Sequence, residues 1–137
     1  MPDSIEAFIA ALKEWATQQP GILAVAIIGS HARTTARQDS DVDVVAIVDD
    51  PAHYLKTSGW LQHFGQVHTV SDENWGLLQS KRVHYADGME VEFGITVRTW
   101  ASTDPVDPGT KKVVLNGMRV LYDPEALLES LLTTVRP

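Results

Sequence analysis

Hydrophobic and polar positions change rhythm several times along this chain, and each rhythm predicts an element. Ile5, Phe8, Ile9, Leu12, Trp15 and Ala16 recur at three- and four-residue spacing, which lines one face of a helix ended by Pro20-Gly21. Asp3 stands where an N-cap belongs, and Glu6 three residues later fits a capping box. The runs ILAVAII (22–28) and DVDVVAIV (41–48) are short and almost wholly apolar after their first residues, so they predict strands buried on both faces. Asp50 before Pro51 predicts a helix over 52–64, with Gly59 weighing against it. QVHTV and RVHYA alternate as short strands with a polar turn at SDEN between them. Asp87-Gly88 predicts a hairpin between KRVHYA and MEVEFGITV. STDPVDPGT reads as an irregular loop and MRVLYD as a late strand. Asp123-Pro124-Glu125 opens a final helix bearing Leu127, Leu128, Leu131 and Leu132. The order predicts an α/β (α+β) domain on a mixed sheet, with helices packed mainly on one side.

Composition narrows this picture. A chain of 137 residues predicts one domain over 1–137, with a core at 22–95 and a C-terminal strand and helix at 113–135. Eleven basic against eighteen acidic residues give a net charge of −7, which argues against generic nucleic-acid binding through a basic face. There is no cysteine, so disulfides and thiolate metal sites are excluded and a reducing compartment fits. The N-terminal residues lack a signal-peptide pattern, and no apolar run approaches the roughly 20 residues that span a bilayer. The expectation is a cytoplasmic protein without membrane contact.

Candidate chemistry lies where acid meets strand. Asp41 and Asp43 alternate, so both project from one face while Val42, Val44, Ala46 and Val48 take the other. Carboxylates this close repel one another, and something positive must compensate. Paired carboxylates suit a hard divalent cation such as Mg2+, which completes its shell with substrate phosphates. Glu90 and Glu92 repeat the arrangement opposite Met89, Val91, Phe93 and Ile95. If the two strands are neighbours, their acids converge, and three or four carboxylates can hold two metal ions. Gly29 ends the preceding buried strand, allowing close backbone approach, and Ser30 opens a turn suited to phosphate.

These residues match a family pattern. The stretch GSHARTTARQDSDVD resembles the signature of the nucleotidyltransferase superfamily, which includes DNA polymerase beta, antibiotic nucleotidyltransferases and small bacterial minimal nucleotidyltransferases. Gly29, Ser30, Ala32, Arg33, Ser40, Asp41 and Asp43 fall on it, and Thr34 departs from the usual glycine. The resemblance implies a nucleotidyltransferase-type sheet and a third carboxylate on a later strand, Glu92 with Glu90 as the alternative. It implies Mg2+-dependent transfer of a nucleoside monophosphate, with ATP the expected donor, to a hydroxyl of a small molecule or protein. Asp41, Asp43 and Glu92 would be catalytic and metal-binding, with two ions when the nucleotide is bound. Gly29, Ser30, Arg33 and Arg82 would face the phosphates. A homodimer or a small helical partner, as in toxin–antitoxin systems, is a further expectation. The rival reading is a non-catalytic, antitoxin-like protein retaining the fold.

Other readings fit less well. Asp39, Asp41 and Asp43 fit the start of an EF-hand loop, but Val44 and Asp50 stand where that loop needs Gly and Glu. Ser30 lacks a nucleophile elbow, and no P-loop lysine is present. Glu90 and Glu92 can also be a plain solvent face. His31 adjoins the phosphate turn, whereas His53, His63, His68 and His84 show no zinc spacing. Trp60, Trp75 and Trp100 are either core lids or a platform for a base, and the loop at 100–110 is a candidate wall for the acceptor.

Overall fold

A computed structural model describes residues 5–32, 41–75 and 78–135; Asp3, Arg33, Thr34, Asp39, Ser40 and the side chain of Trp75 lie outside them. The apolar stripe at the start forms α1 (Ile5–Gln18), followed by β1 (Ile22–Ile28) and a single 3-10 turn, Gly29–His31. Next come β2 (Val42–Val48), α2 (Pro51–Leu55), a 3-10 segment at Gly59–Phe64, β3 (Val67–Trp75), β4 (Leu78–Tyr85) and β5 (Glu90–Thr96). A 3-10 turn at Arg98–Ala101, α3 (Pro108–Leu115), β6 (Met118–Tyr122) and α4 (Leu127–Val135) complete the order. The strands form one mixed sheet in the order β3-β4-β5-β2-β1-β6. Only β2 and β5 run parallel; the other neighbours are antiparallel. No helix among the described residues is long and apolar enough to cross a membrane.

Alternation along β1 and β2 sorts the core into two layers. Val25, Ile27, Val44 and Ala46 face one side, where Phe8, Leu12 and Trp15 of α1 cover them with Tyr54 and Leu61. Ala24, Ala26, Val45 and Ile47 face the other, beneath Trp100, Val114, Leu128 and Leu131. Helices therefore cover both faces of the sheet, where the sequence pattern places them mainly on one. The physical reason lies in the strands themselves, because a run that is apolar at every position needs cover on each side.

The second layer includes a helix within the segment read as a loop. Asp107 caps α3 by accepting from the Thr110 amide at 3.1 Å, and Pro108 takes the first helical turn. The Thr110 hydroxyl donates to the Trp100 carbonyl at 2.9 Å, so the 100–110 segment is tied into the core. Two further boundaries differ. The helix expected over 52–64 stops at Leu55, and the indole N–H of Trp60 donates to the carbonyls of Tyr54 (3.0 Å) and Thr57 (3.2 Å). Those bonds satisfy groups that a continuing helix would have paired. The SDEN stretch continues β3 because its acids find partners across the ladder, as in Asp72 to Lys81 at 3.0 Å.

The hairpin and the late strand form as expected, and Asp123 caps α4 through the amides of Leu128 and Glu129. Trp60 stacks on Trp15 at 5.3 Å and Trp100 is buried, so both are core side chains. Phe93 of β5 anchors the first layer, with ring contacts to Phe8, Trp60 and Phe64. Phe93→Ala is expected to cost about 3–5 kcal/mol in urea unfolding, because its cavity lies between elements that cannot all close on it.

Candidate active site

The parallel pair of β2 and β5 sets the register of the acids. Val42 lies opposite Val91 and Asp43 opposite Glu92, so the valines enter the first core layer and the acids share the other face. Asp41 precedes β2 with the same parity, and Glu90 is one step nearer the hairpin on the side of Glu92. The second helical layer covers this face over β1, β2 and β6. Beyond it, β4 and β5 present Arg82, His84, Glu90 and Glu92.

Gly29 closes the site on its other flank. Ile28 pairs with Asp43 across β1 and β2, so the chain turns directly beside that carboxylate. Gly29 has φ +78°, and a Cβ built on it would lie 3.0 Å from Asp43 Oδ2. Its amide donates to the Gly117 carbonyl at 3.2 Å, and its carbonyl accepts from Ala32 at 3.0 Å. The backbone approach expected from the sequence is therefore toward Asp43, and the Gly29 N–H is held by the loop before β6. Ser30 is half-buried in the same turn.

Among the described residues, the positive charge that meets these acids is Arg82. Its Nη2 donates to Glu92 Oε1 at 2.6 Å, its Nη1 to Asp41 Oδ2 at 3.2 Å and to Glu90, and its Nε to Glu73 Oε2 at 3.1 Å. Four carboxylates, from strands β3 and β5 and the segment before β2, thus meet one planar fork of donors. These contacts push the guanidinium above its ordinary pKa, chiefly through the bonds to Glu90 and Glu73. His84 Nδ1 lies 3.5 Å from Glu90.

Asp43 is excluded from this fork. Burial, followed by the charges of Glu92 and Asp41, pushes its carboxyl up to about 6, while Arg82 and His31 pull it down. Among the described residues, no group of three or more acid or histidine side chains converges on a point able to hold a metal ion. The donor set nevertheless fits a hard divalent cation. Asp41, Asp43 and Glu92 offer only oxygen, stand on neighbouring segments, and crowd a carboxylate that added positive charge would relieve.

Residues 3–131 match the family model described as streptomycin adenylyltransferase. The chain belongs to the streptomycin adenylyltransferase family. An aminoglycoside 6-adenyltransferase from Bacillus subtilis shares the fold, with a TM-score of 0.58 at 17% identity. The alignment covers 72% of this chain and 36% of that one, so this family member spans about a third of its neighbour's length. No curated protein sequence matches. The sequence resemblance to nucleotidyltransferases is thereby borne out, as is the mixed-sheet fold.

Sequence reading missed Glu73, placed in a turn, and the position of Arg82 among the acids. The Asp87-Gly88 turn carried a usable signal for the latter. Counting back from the Tyr85–Met89 pair sets His84 against Glu90 and Arg82 against Glu92.

Two outcomes follow from this geometry. A carboxyl holding its proton above the usual 3.8 makes the folded state bind more protons than the unfolded one between 3.8 and about 6. Stability falls as pH rises through that window and stays low above it. Asp43→Asn should therefore melt a few degrees above the parent at about pH 8 without divalent ions, and the advantage should vanish near pH 4. Gly29→Ala should cost about 1–2 kcal/mol in chemical denaturation, since it places a side chain in the left-handed region against Asp43.

Proposed function

We propose that this protein transfers AMP from ATP to a hydroxyl group of a small polar acceptor, with Asp41, Asp43 and Glu92 as its catalytic carboxylates. The observation that carries the reading is the level pairing of Asp43 with Glu92 on parallel strands beside the Gly29 turn. Family membership supports ATP as donor, and the aminoglycoside-modifying neighbour supports a small-molecule acceptor.

In this reading the Gly29 turn brings Ser30 to the outgoing end of the triphosphate, and the family resemblance assigns Arg33 to the same end. Glu92 takes the proton from the acceptor hydroxyl as its oxygen forms a bond to the α-phosphorus. The bond from that phosphorus to the bridging oxygen breaks, and pyrophosphate leaves. Mg2+ held by Asp41, Asp43 and Glu92, as two ions with nucleotide bound, would neutralise charge developing on the transferred phosphoryl group. Arg82 can reach phosphate only by leaving some of the carboxylates it holds. That internal neutralisation favours one second reading, a non-catalytic partner protein in which the acids serve only the fold.

The test is incubation with α-labelled ATP, Mg2+ and a panel of aminoglycosides, scored for labelled acceptor. Asp41→Ala and Asp43→Ala are each expected to lower the rate by at least about a hundredfold. In parallel, Mg2+ with ATP should raise the melting temperature of the parent and leave that of Asp43→Ala unchanged. If ATP neither binds in a Mg2+-dependent way nor labels any acceptor, the catalytic reading is abandoned for the partner protein.

A further inference from the structure

Arg82 stands at the point where the acids would otherwise meet a cation. Its side chain is 25% exposed, and its contacts divide into two sets. Nη1 and Nη2 engage Asp41 and Glu92, both assigned above as metal ligands. Nε engages Glu73, which belongs to the far strand β3 and faces Ser80 rather than β5. Nη1 also engages Glu90, one step from Glu92 toward the hairpin. A guanidinium cannot lose its proton, so it leaves a carboxylate only by moving to other acceptors. Glu73 and Glu90 are such acceptors, already in contact.

We infer that Arg82 is an internal counter-ion that a divalent cation must displace from Asp41 and Glu92, and that Glu73 and Glu90 retain the guanidinium when it moves. This rests on the metal-binding reading above and adds a residue that sets the affinity of that site. Arg82 holds the acids together without the metal and competes with it for the same oxygens. The site therefore fills by exchange of one cation for another. Arg82 is a positioning residue in this scheme, acting through the carboxylates it holds.

The experiment titrates Mn2+ alone into the full chain and follows the paramagnetic resonance signal of the free ion. Arg82→Gln should bind Mn2+ about tenfold more tightly than the parent, because a like charge has left the site. Arg82→Lys keeps the charge for folding but loses the planar fork, and should bind about threefold more tightly. Glu73→Gln should weaken binding about threefold in the parent, since the guanidinium is left with fewer acceptors away from the ligands. The same change should have little effect in the Arg82→Gln background. Unchanged or weaker binding in Arg82→Lys overturns the inference even if Arg82→Gln fails to fold. An equal effect of Glu73→Gln in both backgrounds also overturns it, because the acid then acts on the ion directly. Absence of Mn2+ binding in the parent and every variant overturns the metal reading along with it.

Discussion

The parallel pairing of β2 with β5 is the constraint on which this molecule depends. The two strands lie at the centre of the sheet, and their register decides which side chains become core and which become site. With Asp43 level with Glu92, Val42, Val44, Val91 and Phe93 all enter the layer beneath α1. A slip of one residue would exchange the two sets, burying carboxylates among aromatic rings and exposing valines. Hydrophobic burial on one face therefore holds like charges together on the other. The core enforces a proximity that the acids alone would oppose.

That enforced proximity explains the division of labour between the acids. Those within reach of Arg82 each accept a strong, charge-assisted bond from it. Asp43 lies nearer to β1 and the Gly29 turn, beyond the fork, where burial first and then the charges of Glu92 and Asp41 push its carboxyl up. A site built this way concentrates tension at Asp43. Added positive charge would act mainly where the tension is.

Much of this was legible in the residues. The 3.6-residue stripe of α1, the two apolar runs and the Asp-Gly hairpin signal follow from local periodicity and turn chemistry, and they form as expected. The alternation of Asp41 with Asp43, and of Glu90 with Glu92, was enough to put each pair on one face. Less legible were features decided by partners distant in sequence. SDEN has turn composition, yet Asp72 and Glu73 stay extended because Lys81 lies opposite Asp72 and Arg82 reaches Glu73 diagonally across the ladder. α3 was obscured by its Pro- and Gly-rich opening, although Asp107-Pro108 repeats the helix-start signal read at Asp50-Pro51. Arg82 looks like any strand cation until the register is known. Only then does it stand among four acids.

The bond from the Gly29 amide to the Gly117 carbonyl joins the turn beside Asp43 to the chain between α3 and β6. The early strands and the late elements are thus mechanically one body: β6 extends the sheet from β1, and α4 roofs the face left open by Ala24, Ala26, Val45 and Ile47. A fragment ending after β5 would keep every carboxylate of the site and lose the brace behind the glycine turn. Grafting a further module onto this scaffold therefore has to spare everything through α4. The late strand and helices belong to the frame of the carboxylate site rather than to exchangeable trim.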